Sequence, residues 1–178
     1  MADLPNPRDL RIIYYPEPRL RQVASPIARV EGFHRDLVKR MIDVMIEAVG
    51  VGLAANQVGW LERLVVISAS GKPEEAEAFI NPKIIGKRGA ITETEGCLSV
   101  PGVRSKVRRA EHLKVSATRL DGQPVEIEVA GLLARVWQHE IDHIDGILFI
   151  DKVGMASKVV IAHRLHRLEK AYEEALRE

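Results

Sequence analysis

The sequence predicts an α+β fold, in which antiparallel β-sheets pack around a helix that carries an H-E-x-x-H run. Apolar residues recur at helical spacing over residues 34–49, alternate with period two over residues 113–130, and return to helical spacing from Leu132. The middle of the chain lacks the βαβ rhythm of parallel sheets, so antiparallel pairing is expected. A length of 178 residues suits one catalytic domain over residues 1–178.

The N-terminal part is predicted to contain a short strand and then a helix. Residues 11–14 are a strand candidate that Pro16 would end, and Gly50 is placed to end the helix over residues 34–49. The apolar face of this N-terminal helix comprises Leu37, Met41, Val44, Met45 and Ala48. Its spacing is that of an amphipathic helix packed on a core.

The middle of the chain is predicted to be rich in strands. The candidate strands are residues 64–68, 79–86, 113–119 and 124–130. Pro82 should break the second candidate, because proline cannot donate to a strand ladder. Asp121-Gly122 between the last two candidates is a favoured hairpin turn, which predicts an antiparallel pair.

Two further helices are predicted in the last third of the chain. The first runs from Leu132 to about His143, and Gly146 is a plausible stop. The second is a C-terminal helix over about residues 157–176, with apolar residues in successive turns and charges on the opposite face. Together with the strands, these helices complete the α+β prediction.

Composition and charge restrict the class of protein. A net charge of +1 gives no reason to expect nucleic acid or an anionic membrane as a partner. The N-terminal segment MADLPNPRDL lacks the charged-then-apolar layout of a signal peptide. A single cysteine excludes an internal disulfide framework, so a cytoplasmic location is expected.

The strongest motif is the H-E-x-x-H run within the segment predicted to be the second helix. Residues four apart on a helix share a face, so His139 and His143 can converge on one cation. Glu140 would project toward the same cavity as a general acid and base. The alternative is a helix that happens to carry two histidines and a surface glutamate.

A hydrolytic metal site needs a third protein ligand and an open position for water. Cys97 is one candidate, because a thiolate with two imidazoles makes a suitable donor set and Gly96 before it allows close backbone approach. A free cysteine is also a common core residue. Asp145 and Asp151 are alternative ligands that have equally plain surface or capping interpretations.

Three segments together resemble the peptide deformylase family. They are GVGLAANQ at 50–57, EGCLS at 95–99 and QHEIDH at 138–143, in the family's order. INPKI at 80–84 and the hairpin at 121–122 also lie in family-like places. Asn56 stands where many members have proline. The long C-terminal helix is similar to that of the bacterial type.

The resemblance implies a fold, an activity and a set of site residues. It implies an H-E-x-x-H helix buried between antiparallel sheets and removal of the N-formyl group from the formyl-methionine of nascent chains, with release of formate. The metal is expected to be Fe(II), with Zn, Ni or Co as alternatives. The implied metal ligands are Cys97, His139 and His143, and the implied catalytic groups are Glu140, Gln57 and the backbone N–H of Leu98.

The same resemblance suggests how a peptide end would bind. An extended peptide would bond to backbone in the segments that hold Val51, Gly52 and Gly96. Leu132 and Val136, one turn apart on the His139 side of the helix, are the candidate walls of a methionine slot. Arg135 and Trp137 flank these walls, with an ordinary core or surface place on the helix as the alternative. Arg104 is a candidate for contact with the peptide backbone, with a solvated side chain as the alternative.

Two other functions share the metal motif, and the C-terminal helix raises a separate question. An H-E-x-x-H peptidase would cleave internal peptide bonds, and a storage or structural module would need a fourth protein ligand. The C-terminal helix carries basic residues that suggest a ribosome contact, although a solvated helix face is what such charges usually mean. These residues are Lys158, Arg164, Arg167 and Lys170.

Overall fold

A computed structural model describes residues 6–177, so the first residues of the N-terminal segment considered above lie outside it. The helices are α1 (Gly32–Glu47), α2 (Gly131–Ile144) and α3 (Met155–Ala175). The strands are β1 (Gly52–Ala54), β2 (Leu64–Ile67), β3 (Glu77–Arg88), β4 (Ile91–Cys97), β5 (Val100–Arg109), β6 (His112–Arg119) and β7 (Pro124–Ala130). One sheet has the order β1-β2-β3-β6-β7, β4 and β5 form a separate hairpin, and every pairing is antiparallel. The predicted α+β fold with antiparallel sheets is confirmed.

Helix α1 covers one face of the five-stranded sheet, as its apolar stripe predicts. Its buried apolar residues are Leu37, Val38, Met41, Val44 and Met45, which pack with Leu53, Leu64 and Val66. The N–H of Gly50 bonds to the Met45 carbonyl and that of Val49 to the Ile46 carbonyl, at 2.8 and 2.9 Å. This pair of bonds closes the helix as a Schellman motif, with Val49 at the left-handed position (φ 57) where glycine is usual.

Two predictions for the strands are wrong. Residues 11–14 are extended but not paired as a strand, and the N–H of Ile13 bonds to the Gln57 carbonyl at 2.8 Å. Strand β3 passes through Pro82 without breaking, because the register with β6 shifts between Ile80 and Lys83. A bulge of this kind removes the demand for an N–H at the proline.

The β4–β5 hairpin was not predicted as a unit, and it fixes the place of Cys97, which is the last residue of β4. The pairing with β5 shifts between Gly96 and Cys97, so Cys97 lies opposite Val100 in a tight connection. The predicted β6–β7 hairpin is confirmed, with Gly122 at φ 87 in its turn.

Helix α2 lies between the five-stranded sheet and the β4–β5 hairpin, as the resemblance implied. One side packs on the sheet through Ala134, Trp137, Ile141 and Ile144. On the other side, Arg135 and His139 bond to Glu95 of β4. Gly146, the predicted stop, takes a left-handed φ of 73 directly against the backbone of Arg21.

Helix α3 lies along β5 at the outside of the protein, where the predicted C-terminal helix was expected. Ile161 is its buried residue and joins the cluster of Val103 and Val107. The Tyr15 hydroxyl donates to Glu169 at 2.5 Å, and Arg164 donates to the Gly102 carbonyl at 2.6 Å. Within residues 6–177, no helix is long and apolar enough to cross a membrane.

Candidate metal centre and substrate pocket

Three potential metal ligands converge where α2 meets the end of β4. The side-chain donor atoms of Cys97, His139 and His143 all lie within 4.8 Å of one another. The Nε2 atom of His143 is 3.2 Å from the Cys97 Sγ and 3.2 Å from the His139 Nε2. Helical spacing brings the two imidazoles together, and the tight β4–β5 connection supplies the thiol.

The donor chemistry of this cluster fits a divalent transition metal. One thiol and two imidazoles are ligands that such ions prefer, and three ligands leave a coordination position open. The two alternative ligands are engaged elsewhere, since Asp145 bonds to Arg63 at 2.6 Å and Asp151 to Arg21 at 3.0 Å. Both aspartates therefore have the surface role that the sequence left open.

A buried carboxylate on β4 supports the histidine pair from behind. Glu95 Oε2 is 3.2 Å from His139 Nδ1, and the same carboxylate receives two bonds of 2.9 Å from Arg109. Arg135 adds a further bond of 2.5 Å to the Glu95 carboxylate. A carboxylate on the far nitrogen of a ligating histidine fixes the ring and its tautomer.

The electrostatics of the site favour a cation. Burial opposes ionisation of Glu95, but hydrogen bonds to His139 and Arg109 lower its pKa to about 2. Burial also opposes the charged form of His139, whereas hydrogen bonds to Cys97 and Glu95 raise its pKa to about 10. Burial and the neighbouring His139 hold the pKa of His143 well below its ordinary value. The same carboxylate and thiol that favour a proton on His139 would attract a metal cation.

Glu140 lies at the edge of this cluster against the backbone of β1. A side chain on Gly52 would put its Cβ 2.5 Å from Glu140 Oε1, so the carboxylate fits only because Gly52 has no side chain. The Oε2 atom of Glu140 is buried and has no hydrogen-bond partner. Burial raises the pKa of this carboxyl to about 7. A buried oxygen without a partner points to a group that awaits a substrate or water.

Gln57 presents its amide nitrogen to the same cluster. The Ala54 N–H donates to Gln57 Oε1 at 2.8 Å, which leaves Nε2 facing Ser99 Oγ at 3.2 Å and Cys97 Sγ at 3.5 Å. The adjacent Asn56 donates from Nδ2 to the His143 carbonyl, which ties this segment to the end of α2. Asn56 is thus accommodated where proline is common in the family that the sequence resembles.

An open pocket of about 640 Å³ leads to the cluster. Its lining includes these predicted site residues: Val51, Gly52, Gln57, Gly96, Cys97, Leu98, Arg104, Leu132, Val136, His139 and Glu140. His143 is buried and is not part of the lining. Trp137 is only 2% exposed and packs against Phe79 with 4.7 Å between ring centroids and 54° between ring planes, so it is a core residue.

Comparisons with known proteins agree with this architecture. The family profile described as Polypeptide deformylase matches residues 9–159. The chain belongs to the peptide deformylase family. The Chromobacterium violaceum peptide deformylase is 43% identical over 161 residues, covering 90% of this chain and 96% of that protein. The Acidobacterium capsulatum peptide deformylase is 44% identical over 164 residues, covering 91% of this chain and 96% of that protein.

Solved structures of peptide deformylases share the fold. A plant peptide deformylase superposes with a TM-score of 0.93 at 36% identity, covering 97% of this chain and 96% of that one. The Legionella pneumophila peptide deformylase gives a TM-score of 0.85 at 39% identity, with coverage of 92% and 98%. The protein is therefore an enzyme, a hydrolase of a metal-dependent family, with a candidate metal site at Cys97, His139 and His143.

Several residues of the peptide deformylase pocket were not predicted. Glu95 is part of the EGCLS segment, but its role was not predicted; it is the buried residue of β4 and lies two residues before Cys97. Val49 and Arg164 also line the pocket. Arg135, which was predicted to flank the wall residues Leu132 and Val136, lines the pocket while its guanidinium bonds to Glu95. Arg164 belongs to α3, so no local pattern placed it near the site.

Proposed function

We propose that this single catalytic domain removes the N-formyl group from the formyl-methionine of newly made polypeptides in the cytoplasm, releasing formate. The observation that carries the proposal is the convergence of Cys97, His139 and His143 beside Glu140, at the end of an open pocket. The family membership supports deformylation as the reaction class.

Cys97 Sγ and the two Nε2 atoms would hold one metal ion, for which we expect Fe(II), with Zn, Ni or Co as alternatives. A divalent ion bound there supplies Lewis acidity, which lowers the pKa of water from about 15.7 to about 7. Glu95 would keep the His139 Nε2 directed at the ion by accepting from Nδ1. Arg109 and Arg135 hold Glu95 in turn, so the ring cannot rotate without breaking a buried network.

Glu140 would move the protons of the reaction. Its unpartnered Oε2 accepts a proton as water oxygen bonds to the formyl carbon. The carbon–nitrogen bond then breaks, and the carboxyl returns that proton to the departing amine nitrogen. The water oxygen stays in the formic acid that leaves, and the second water proton passes from this acid to the released amine, so the products are formate and a protonated amino terminus.

Gln57 and Leu98 would stabilise the charge that develops on the formyl oxygen. The Gln57 amide is oriented by the Ala54 N–H, so its Nε2 donor faces the site before substrate arrives. A preorganised donor of this kind typically contributes about 3 kcal/mol to transition-state stabilisation. The Leu98 backbone N–H is the second proposed donor, directly beyond the ligand Cys97.

The pocket supports binding of an extended peptide with an apolar first side chain. Val136 is 7% exposed and lies on the same side of α2 as His139, whereas Leu132 is 64% exposed at the rim. These two residues would line the methionine slot. The backbone of Val51, Gly52 and Gly96 would bond to the peptide chain, and the exposed Arg104 would lie beside it.

The decisive experiment measures formate release from a formyl-Met-Ala-Ser peptide by protein purified without oxygen. Glu140→Gln, checked for unchanged metal content, should lower kcat/KM by about 10²–10⁴-fold, because it removes the proton acceptor. Glu126→Gln on the exposed β7 is the matched control and should behave as wild type. No formate from wild type with a full complement of metal would refute the proposed function.

Ribosome contact through α3 stays a prediction. The alternative is that the basic residues of α3 are simply solvated. Arg164 is engaged by the Gly102 carbonyl, so the basic residues to test are Lys158, Arg167 and Lys170, of which Lys170 forms an exposed pair with Glu174 at 3.8 Å. The test replaces these three residues by glutamine. Deleting α3 instead would also remove the core residue Ile161. Unchanged co-sedimentation with ribosomes would leave the solvated face as the explanation of these charges.

A further inference from the structure

Val49 has an unusual backbone conformation for its residue type. Its φ of 57 is in the left-handed region, where β-branched residues are rare because the Cβ lies close to the backbone. The position is the one that follows the end of α1 in a Schellman motif, and glycine or asparagine is the usual occupant. The fold needs the left-handed turn there, but it does not need a valine.

Among residues 6–177, neither burial nor a side-chain hydrogen bond of Val49 offsets this strain. The other non-glycine residue with positive φ among residues 6–177 is Asn81 (φ 50), whose side chain bonds to the N–H and carbonyl of Ile27 at 2.9 and 2.8 Å. Val49 has no polar side-chain atom, and its side chain is 91% exposed. Burial therefore cannot account for keeping a branched apolar residue there.

The place of Val49 suggests what the side chain contacts. It lines the pocket that leads to the metal centre, as does Leu132, another exposed apolar residue. Gly50 beside it packs against Leu98, since a Cβ on Gly50 would come 2.8 Å from the Leu98 Cδ1. Val49 is thus part of an apolar rim that continues outward from the site of chemistry.

We propose that Val49 is a specificity-determining residue that packs against an apolar side chain downstream of the methionine in the peptide substrate. The inference rests on the proposed function. Val49 lies two residues before Val51, where the peptide backbone is proposed to bind, and two residues span at most about 7 Å. An extended peptide advances by the same distance in two residues, so its second or third side chain reaches Val49.

The test compares substrate preference with thermal stability in the metal-loaded protein. The substrates are formyl-Met-Leu-Leu and formyl-Met-Ser-Ser peptides of equal length, and the readout is the ratio of their kcat/KM values. Val49→Gly and Val49→Asn relieve the strain and should raise Tm by about 2–4 °C. Both variants should lower the Leu-over-Ser ratio by about fivefold, because an apolar contact is lost. Val49→Thr keeps the branched shape and the strain, so its Tm should stay at the wild-type value while the ratio falls by a smaller factor.

Val23→Asn is the matched control, because Val23 is also exposed (68%) but does not line the pocket. Its Leu-over-Ser ratio should equal that of wild type. A ratio that is unchanged in both Val49→Gly and Val49→Asn, with activity present, overturns the inference and leaves the proposed function intact. Absence of formate from every peptide with metal-loaded wild type overturns the proposed function and the inference with it.

Discussion

Helices α2 and α3 are both predicted from apolar residues at helical spacing, but they have very different surroundings in the fold. Nine of the fourteen residues of α2 are buried, whereas Ile161 is the buried residue of the 21-residue α3. Helix α2 carries the histidines and Glu140 and is enclosed by two β-structures. Helix α3 is held at a few points on the surface. The proposed chemistry is therefore built on the more deeply buried of the two helices, while α3 contributes through contacts that can be removed one at a time.

The largest expected loss of stability comes from replacing Glu95 of β4, which bonds to Arg135 and His139 of α2. Glu95→Gln leaves Arg135 buried without its anionic partner and weakens the bidentate pair with Arg109. Removing one partner of a buried ion pair typically costs about 3–5 kcal/mol. We expect Tm to fall by about 10 °C, measured by calorimetry, together with loss of bound metal.

The matched control lies on α3, where Lys170 and Glu174 form an exposed pair one turn apart at 3.8 Å. Glu174→Gln should change Tm by about 1 °C or less, because exposed pairs contribute little. A Tm for Glu95→Gln within about 2 °C of wild type would mean that water or a rearranged Asp142 satisfies both guanidinium groups. The surroundings of α2 and α3 would then differ in burial, and the ion pairs of Glu95 would add little to stability.

The parts of the site that the sequence predicted are those set by local geometry. Helical period alone places His139 and His143 on one face with Glu140 beside them, and Asp121-Gly122 fixes a hairpin through its turn. The parts that were missed depend on how separate elements pack. Glu95 acquires its role only when β4 lies against α2. Residues 11–14 do not join a strand, because the N–H of Ile13 bonds to the Gln57 carbonyl in the short 3-10 helix Ala55–Val58.

Strand β3 and Val49 show a second reason for failure, since both break a rule for their residue type. A proline such as Pro82 usually ends a strand, yet β3 continues through it because a bulge with Asn81 at φ 50 accommodates the proline. A left-handed position after a helix predicts glycine, yet Val49 stands there at the rim of the pocket. Such exceptions are invisible to pattern analysis until the backbone angles are known.

A smaller effect is expected from Tyr15, which ties the N-terminal segment to α3. Its hydroxyl donates to Glu169 at 2.5 Å, and Tyr15→Phe should lower the free energy of unfolding by about 1 kcal/mol at neutral pH. Burial and the bond to Glu169 raise the pKa of Tyr15 to about 12. The phenol is therefore neutral in the fold where it would ionise when unfolded, so its stabilisation is full below pH 10 and declines toward pH 12.

Urea unfolding from pH 8 to pH 11 tests this dependence. The difference between wild type and Tyr15→Phe should be constant up to about pH 10 and shrink above it. Tyr14→Phe is the control, because Tyr14 is 52% exposed, and it should follow the wild-type curve throughout. A difference that stays constant to pH 11 would exclude the hydroxyl–Glu169 bond as the source of the stabilisation.

The smallest expected effect concerns Arg164, through which α3 reaches the pocket. Its guanidinium lines the pocket and donates to the Gly102 carbonyl, and it is exposed. Arg164→Ala should raise KM for a formyl-methionyl tetrapeptide about two- to threefold with little change in kcat, because an exposed polar contact is worth about 0.5 kcal/mol. Arg167→Ala on the same helix is the control, since Arg167 does not line the pocket. If the two variants have the same KM, Arg164 has no part in peptide binding. The basic residues of α3 are then either solvated or contact a larger partner.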